Sequence, residues 1–223
     1  MLVPTQFATT RDGVTIAYCS EGEGPPLVFA RGWITHVELL RGDPKLAGFF
    51  APLKEHFRVT WFDNRGNGLS DRTVTDVGLD ELVLDLEAVV DAVDAEDMVL
   101  WGSCFGGPIA ATYAHRHPEN VSRLILDGTF ARGEEMSTAE GRASFLALFD
   151  TADAVPDATF AALSYLTGPE TVQAHAPRAK SSISPTVARM LYTLAYDIDV
   201  SDVMSQLDVP TLVLHRRNTR AIA

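Results

Sequence analysis

Residues 97–107, Asp-Met-Val-Leu-Trp-Gly-Ser-Cys-Phe-Gly-Gly, constrain this chain more than any other stretch. Met98 to Trp101 is a short apolar run, the pattern of a buried strand. Pro108 to His115 reads as a helix. Between them stands Gly102-Ser-Cys-Phe-Gly106. A strand that feeds a helix through so few residues brings two backbones close together. Glycines two positions before and two after Cys104 leave the room this needs. The pattern expects Cys104 itself in a strained backbone, with its side chain presented at the top of a sheet. The spacing selects Cys104 over Ser103, because the residue two before Ser103 is Trp101, too large for a crowded position. A thiol that merely packs as a small hydrophobe is the competing reading; the flanking glycines weigh against it.

The rest of the chain alternates strand and helix patterns. Residues 5–10 and 14–20 read as two strands joined by a turn at Asp12-Gly13. Leu27 to Ala30 is continuously apolar, as a strand buried on both faces should be. Pro44 to His56 suits a helix, and Arg58 to Phe62 a strand. Leu79, Leu82, Val83, Leu86, Val90 and Val93 share one helical face. Asp80, Glu81, Asp85 and Glu87 fall largely off that face and read as a solvated acidic side. Val121 to Leu126 and Val209 to His215 complete the strands. From Ala131 to about Val200 the pattern is helical, with breaks at Pro156, Pro169, Pro177 and Pro185. Such alternation implies an α/β fold, a mainly parallel sheet flanked by helices. The helical stretch is too long for a simple connection and reads as a cap or lid. The expected organisation is residues 1–130 as the first part of a core, 131–200 as the helical cap, and 201–223 as a return to the core.

A net charge of −12 argues against nucleic acid and anionic membranes as partners, since both favour basic patches. A small-molecule substrate or ligand is expected instead. The two cysteines, Cys19 and Cys104, have no metal-ligand spacing, so neither a metal nor another cofactor is expected. Cys19 reads as a buried strand thiol, not a disulfide partner. The first residues lack the pattern of a signal peptide, and no apolar run reaches spanning length, so a cytoplasmic location is the default expectation.

Three segments together resemble the α/β-hydrolase superfamily: Arg31-Gly-Trp33, Phe62-Asp-Asn-Arg-Gly-Asn-Gly-Leu-Ser-Asp71 and Gly102-Ser-Cys-Phe-Gly-Gly-Pro108. Tyr113-Ala-His-Arg-His-Pro-Glu-Asn-Val121 is similar to the passage that follows the elbow in that family. The resemblance implies a nucleophile elbow at Cys104 and attack on an ester, lactone or thioester. It also implies an oxyanion hole from the backbone N–H groups of Trp33 and Phe105. A cysteine in this position resembles the dienelactone hydrolases. The start of a helix after Cys104 is expected to lower the thiol's pKa. Asp63, Arg65, Gly66, Gly68 and Ser70 look like the family's structural loop.

The resemblance leaves part of the site unfilled. The family order is nucleophile, acid, histidine. Thr219 stands where an acid is expected after the last strand, and no base histidine follows before Ala223. The sequence therefore reads as a C-terminally truncated form of the fold with impaired catalysis. It would leave a sheet edge that a second copy could pair with, giving a homodimer. Asp127 is a substitute acid. His115, His117, His56 and His215 read as structural, while His36 and His175 are the remaining candidates for a base. The alternative function is a non-catalytic small-molecule-binding or regulatory module on the same fold.

Overall fold

The computed structural model describes residues 3–150 and 180–215, and elements are numbered here among those residues. A hairpin opens the chain: β1 (Gln6–Thr9) and β2 (Thr15–Glu21) are antiparallel. Gly13 takes the positive φ of +88° that the turn between them requires. Then follow β3 (Pro26–Arg31), α1 (Val37–Arg41), α2 (Pro44–Lys54), β4 (Arg58–Phe62) and α3 (Leu79–Ala92). The elbow segment supplies β5 (Met98–Ser103) and α4 (Gly106–Arg116), and β6 (Val121–Asp127) follows. Helices α5 (Ala139–Ala147), α6 (Pro185–Asp197) and α7 (Ser201–Ser205) precede β7 (Thr211–Leu214).

The seven strands form one sheet in the order β1-β2-β4-β3-β5-β6-β7. Pairs β3–β4, β3–β5, β5–β6 and β6–β7 are parallel; the hairpin joins β4 antiparallel. Alternate residues of each strand serve opposite faces. Val28, Ala30 and Leu100 pack under α3, α4 and α6, together with Leu86, Ile109 and Leu191. Leu27, Phe29, Val59, Trp61 and Trp101 pack under α1 and α2, against Val37, Leu46 and Phe50. Both faces are apolar, which is why Leu27 to Ala30 shows no alternation in sequence. Among the described residues β7 pairs on one side only, and Leu212, Val213 and Leu214 are exposed.

The sequence pattern misses α1, which is a single turn and a half. It also treats Pro185 as a helix breaker, whereas Pro185 opens α6. Ser184 is the N-cap there, its hydroxyl accepting from Val187 N–H at 3.2 Å. Proline fits the first helical turn because its missing N–H would have no intrahelical partner there. The breaks expected at Pro156, Pro169 and Pro177, together with His175 and Thr219, lie outside the described residues.

One expectation is overturned by packing. Asp85 belongs to no solvated face; it is fully buried. Its two oxygens accept from Arg65 Nε at 2.9 Å and from the Arg65 backbone N–H at 2.8 Å. Arg65, itself buried, reaches past it to grip Asp12 at 2.7 and 3.1 Å. The loop after β4 thus drives a guanidinium into the space between α3 and the hairpin turn. The carboxylate on the inner flank of α3 is needed there as its counter-charge. Glu87 is also more enclosed than expected, and Nε2 of His117 lies 2.8 Å from its carboxylate.

Candidate active site

The turn between β5 and α4 holds Cys104 at φ +55°, a left-handed conformation that few side-chain-bearing residues adopt. Hydrogen bonds fix this backbone from three sides. Cys104 N–H donates to the Asp127 carbonyl at 3.0 Å, and Gly107 N–H donates to the Cys104 carbonyl at 3.1 Å. The Thr129 hydroxyl donates to the same Cys104 carbonyl at 2.6 Å. The glycines are needed for space. A Cβ on Gly102 would stand 2.7 Å from the Cβ of Ala110. One on Gly106 would collide with the Ala30 carbonyl, and one on Gly32 with the Phe105–Gly106 backbone. The Arg31-Gly-Trp33 turn is therefore pressed directly against the elbow. Trp33 follows with a positive φ of +89°.

Around the sulfur stand groups from four segments. Phe105 N–H, the first donor of the elbow helix, is directed at Sγ, and Arg31 and Asp127 are close enough to act on its charge. Helix α6 contributes Tyr192, which also lies within electrostatic reach of Cys104. The Tyr192 ring meets Trp33 edge-on, with centroids 3.9 Å apart, and packs on Phe145 at 4.4 Å.

The thiol departs from expectation. Cys104 keeps exposed surface, so a small molecule can reach it. Yet it stands in a crowded region, and this burial pushes the thiol above its ordinary value. Phe105 N–H and the Arg31 charge act in the opposite direction without compensating, and Asp127 adds to the rise. The helix start is thus present, but desolvation outweighs it. Burial pushes the Tyr192 phenol well above its usual range, so it is a neutral hydrogen-bond donor at neutral pH. Cys19, by contrast, is sealed inside β2, and its thiol is pushed up to about 11 by burial.

An exposed sulfur with the Phe105 N–H directed at it and the Arg31-Gly-Trp33 turn pressed against the elbow is an arrangement that can attack a carbonyl. The family model described as alpha/beta hydrolase fold matches residues 25–164. The chain belongs to the α/β-hydrolase fold family. It is 33% identical over 123 residues to the bifunctional esterase/perhydrolase DCH of Acinetobacter calcoaceticus, a match covering 54% of this chain and 43% of that protein. It is 33% identical over 121 residues to a non-heme chloroperoxidase of Streptomyces lividans, covering 53% and 42%. The matched segment thus spans less than half the length of these curated relatives. Among solved structures, the esterase EaEST from Exiguobacterium antarcticum superposes with a TM-score of 0.78 at 24% identity, covering 94% of this chain and 80% of that one. The esterase RhEst1 from Rhodococcus sp. ECU1013 gives 0.74 at 27% identity, covering 96% and 80%.

In this α/β-hydrolase fold the loop after β4 is tied down by its own hydrogen bonds. Asp63 is buried and accepts from Leu69 N–H at 3.0 Å and Val37 N–H at 3.2 Å. Ser70 donates to the Asp63 carbonyl at 2.6 Å. Asn64 donates to the Arg31 carbonyl at 3.1 Å, so the loop anchors the turn that carries Trp33.

The histidines are dispersed. His36 caps α1 without a side-chain cap bond, His115 and His117 end α4, and His215 is exposed after β7. Among the described residues none of them is hydrogen-bonded to Cys104. Also among those residues, no group of three histidine, cysteine or acidic side chains could hold a metal ion. No helix there is long and apolar enough to cross a membrane.

Sequence reasoning passed over Tyr192 and the Arg31 side chain. Tyr192 sits on the mixed helical pattern of α6, with no motif around it. Arg31 was visible only as the first residue of the Arg31-Gly-Trp33 segment.

Proposed function

We propose that Cys104 is the nucleophile of an acyl-transfer site acting on an ester, lactone or thioester. The observation that carries this reading is the left-handed Cys104 backbone, with Phe105 N–H at its sulfur and the Trp33 turn pressed against it. The relatives named as esterases support the same class of chemistry.

In this reading the thiolate of Cys104 attacks the carbonyl carbon. A C–S bond forms, and the carbonyl π electrons move onto oxygen. The N–H groups of Phe105 and Trp33 hold that oxyanion, each such donor contributing roughly 3 kcal/mol. Collapse expels the leaving oxygen or sulfur, which takes a proton from water. A second water then hydrolyses the acyl-Cys104 thioester, releasing the acid and restoring the thiol. Among the described residues no imidazole stands at the sulfur. The thiolate population then sets the rate of acylation, and unassisted attack of water on the acyl-enzyme limits turnover, so catalysis is impaired relative to a complete triad.

A second reading is a non-catalytic small-molecule-binding or regulatory module. The raised thiol and the lack of a histidine on Cys104 among the described residues favour it. Hydrolysis of p-nitrophenyl acetate by the wild type and by Cys104→Ala separates the two. The nucleophile reading expects a loss of at least about a hundredfold in the variant; equal rates would leave the binding module as the better description.

A further inference from the structure

On the opposite side of the sheet from the elbow helix, between β3, β4, α1 and α2, lies a cavity of about 200 Å³. Its walls are apolar and aromatic, led by Phe29, Phe50 and Trp61. Phe50 stacks on Trp61 at 5.7 Å, and Phe29 meets Phe50 edge-on at 5.2 Å. Three cations also line it: Arg31, Arg41 and Lys54. Among the described residues that line it, only Glu21 carries negative charge.

Glu21 is shared. Its carboxylate lies 2.8 Å from Arg41 Nε and 2.5 Å from Lys54 Nζ. One carboxylate thus serves two cations, and the third is left over. Among the described residues Arg31 makes no ion pair or side-chain hydrogen bond; Cys104 and Asp43 act on it through charge alone. The Arg41 side chain is 9% exposed, and its Nη2 is buried with no hydrogen-bond partner. The indole Nε1 of Trp61 is also buried and unpartnered. Buried donors without acceptors are costly, and buried cations without counter-charges more so. The lining therefore combines surplus positive charge and unpartnered donors with flat apolar walls.

We propose that this cavity is a binding site for a small organic carboxylate with a flat apolar body. The carboxylate would accept from the unpartnered Nη2 of Arg41 in a charge-assisted bond. Arg31 and Lys54 would surround it with charge, and the ring would lie between Phe29, Phe50 and Trp61. The site stands on its own residues and does not depend on acylation of Cys104.

The test is calorimetric titration of the chain with benzoate, benzyl alcohol and inorganic phosphate at matched ionic strength. Benzoate is expected to bind one to one, in about the micromolar to millimolar range. Benzyl alcohol, of the same shape without the charge, should bind at least about tenfold more weakly. Phosphate should do the same, because it cannot use the walls. Arg41→Met should weaken benzoate by about tenfold or more, and Arg41→Lys by less. Ala47→Phe keeps every charge and fills the cavity, so it should weaken benzoate as much as Arg41→Met. Cys104→Ala should bind benzoate as the wild type does, which separates this site from the acyl-transfer reading. No saturable benzoate binding by the wild type, equal binding of benzyl alcohol or phosphate, or unchanged binding in a folded Ala47→Phe variant would each overturn the proposal.

Discussion

The edge of the Tyr192 ring rests against Trp33 with centroids 3.9 Å apart, joining α6 to the turn that faces the elbow. Trp33 holds a positive φ of +89°, a conformation that persists only when its surroundings enforce it. Tyr192 is one such constraint. Replacing it with alanine should loosen the Trp33 N–H and lower kcat for p-nitrophenyl acetate by about tenfold, with KM less affected. Tyr192→Phe keeps the ring contact and should retain most of the rate. If the phenylalanine variant fell as far as the alanine one, the hydroxyl near Cys104 would be the operative group, not the contact.

Arg65 and Asp85 form a pair whose loss should be severe. Asp85→Ala leaves a buried guanidinium with only Asp12 and should cost roughly 3–5 kcal/mol in chemical denaturation. Arg65→Met with Asp85→Leu removes both charges and should recover much of that loss. A double variant no more stable than Asp85→Ala would show that the charges themselves hold the hairpin to α3.

The same pair sets a pH dependence. Burial pushes Asp85 up to about 7 from its ordinary 3.8, while the Arg65 bonds pull the other way. The folded state therefore holds this proton more tightly than the unfolded chain. The stabilisation is complete below pH 3.8 and is lost as pH rises through about 7. Asp12, across Arg65, is held below its ordinary value chiefly by its Arg65 hydrogen bond, so its own contribution is lost on acidification, in a lower window. Urea midpoints should fall across the window from pH 3.8 to about 7 in the wild type. In Asp85→Asn, which does not titrate, that fall should be smaller. Identical slopes in the two proteins would contradict the assignment.

Gly106 tests the close approach of strand and elbow. Gly106→Ala would force a methyl group into the Ala30 carbonyl, a contact between two backbones with no flexible end to move. It should destabilise by about 1–3 kcal/mol or more, read as a lowered melting temperature. Gly13→Ala is the contrast. Nothing lies within 4 Å of its Cβ position, so only the strain of its positive φ is felt.

Much of this architecture is legible in the sequence. Every strand expected from an apolar run is present, the inner ones because their runs are buried in the sheet; the run of β7 is exposed. The elbow was legible for a stricter reason: Gly102, Gly106 and Gly32 mark contacts that no larger residue permits. What was not legible came from partners far apart in the chain. Asp85 looked solvent-facing because helical periodicity records no position for Arg65, which arrives from a loop twenty residues earlier. The thiol of Cys104 was expected low on the strength of one helix start. Its crowding and the opposing charges of Arg31 and Asp127 arise only when segments distant in the chain meet in space. The unpaired charge of Arg31 likewise emerges only when α1 and α2 close over β3. Residues His175 and Thr219, which entered the reading of the triad, lie outside the described residues.

The raised thiol predicts the pH profile of turnover. With the thiolate as nucleophile and its pKa above the ordinary 9.0, the rate of acylation, read as kcat/KM, should climb through the neutral range by about tenfold per pH unit, with no plateau below 9.0. A plateau near neutrality would indicate a thiolate already formed, held by a base.

The central claim rests on a covalent bond to one sulfur. Intact-mass spectrometry of the protein quenched during turnover of p-nitrophenyl acetate tests it directly. The wild type should carry one acetyl group, mapped by proteolysis to Cys104 and absent from Cys104→Ala, and the burst of p-nitrophenol should match its amount. Turnover without any acyl-enzyme, or an acetyl group retained in Cys104→Ala with its burst intact, would contradict the assignment of Cys104 as nucleophile.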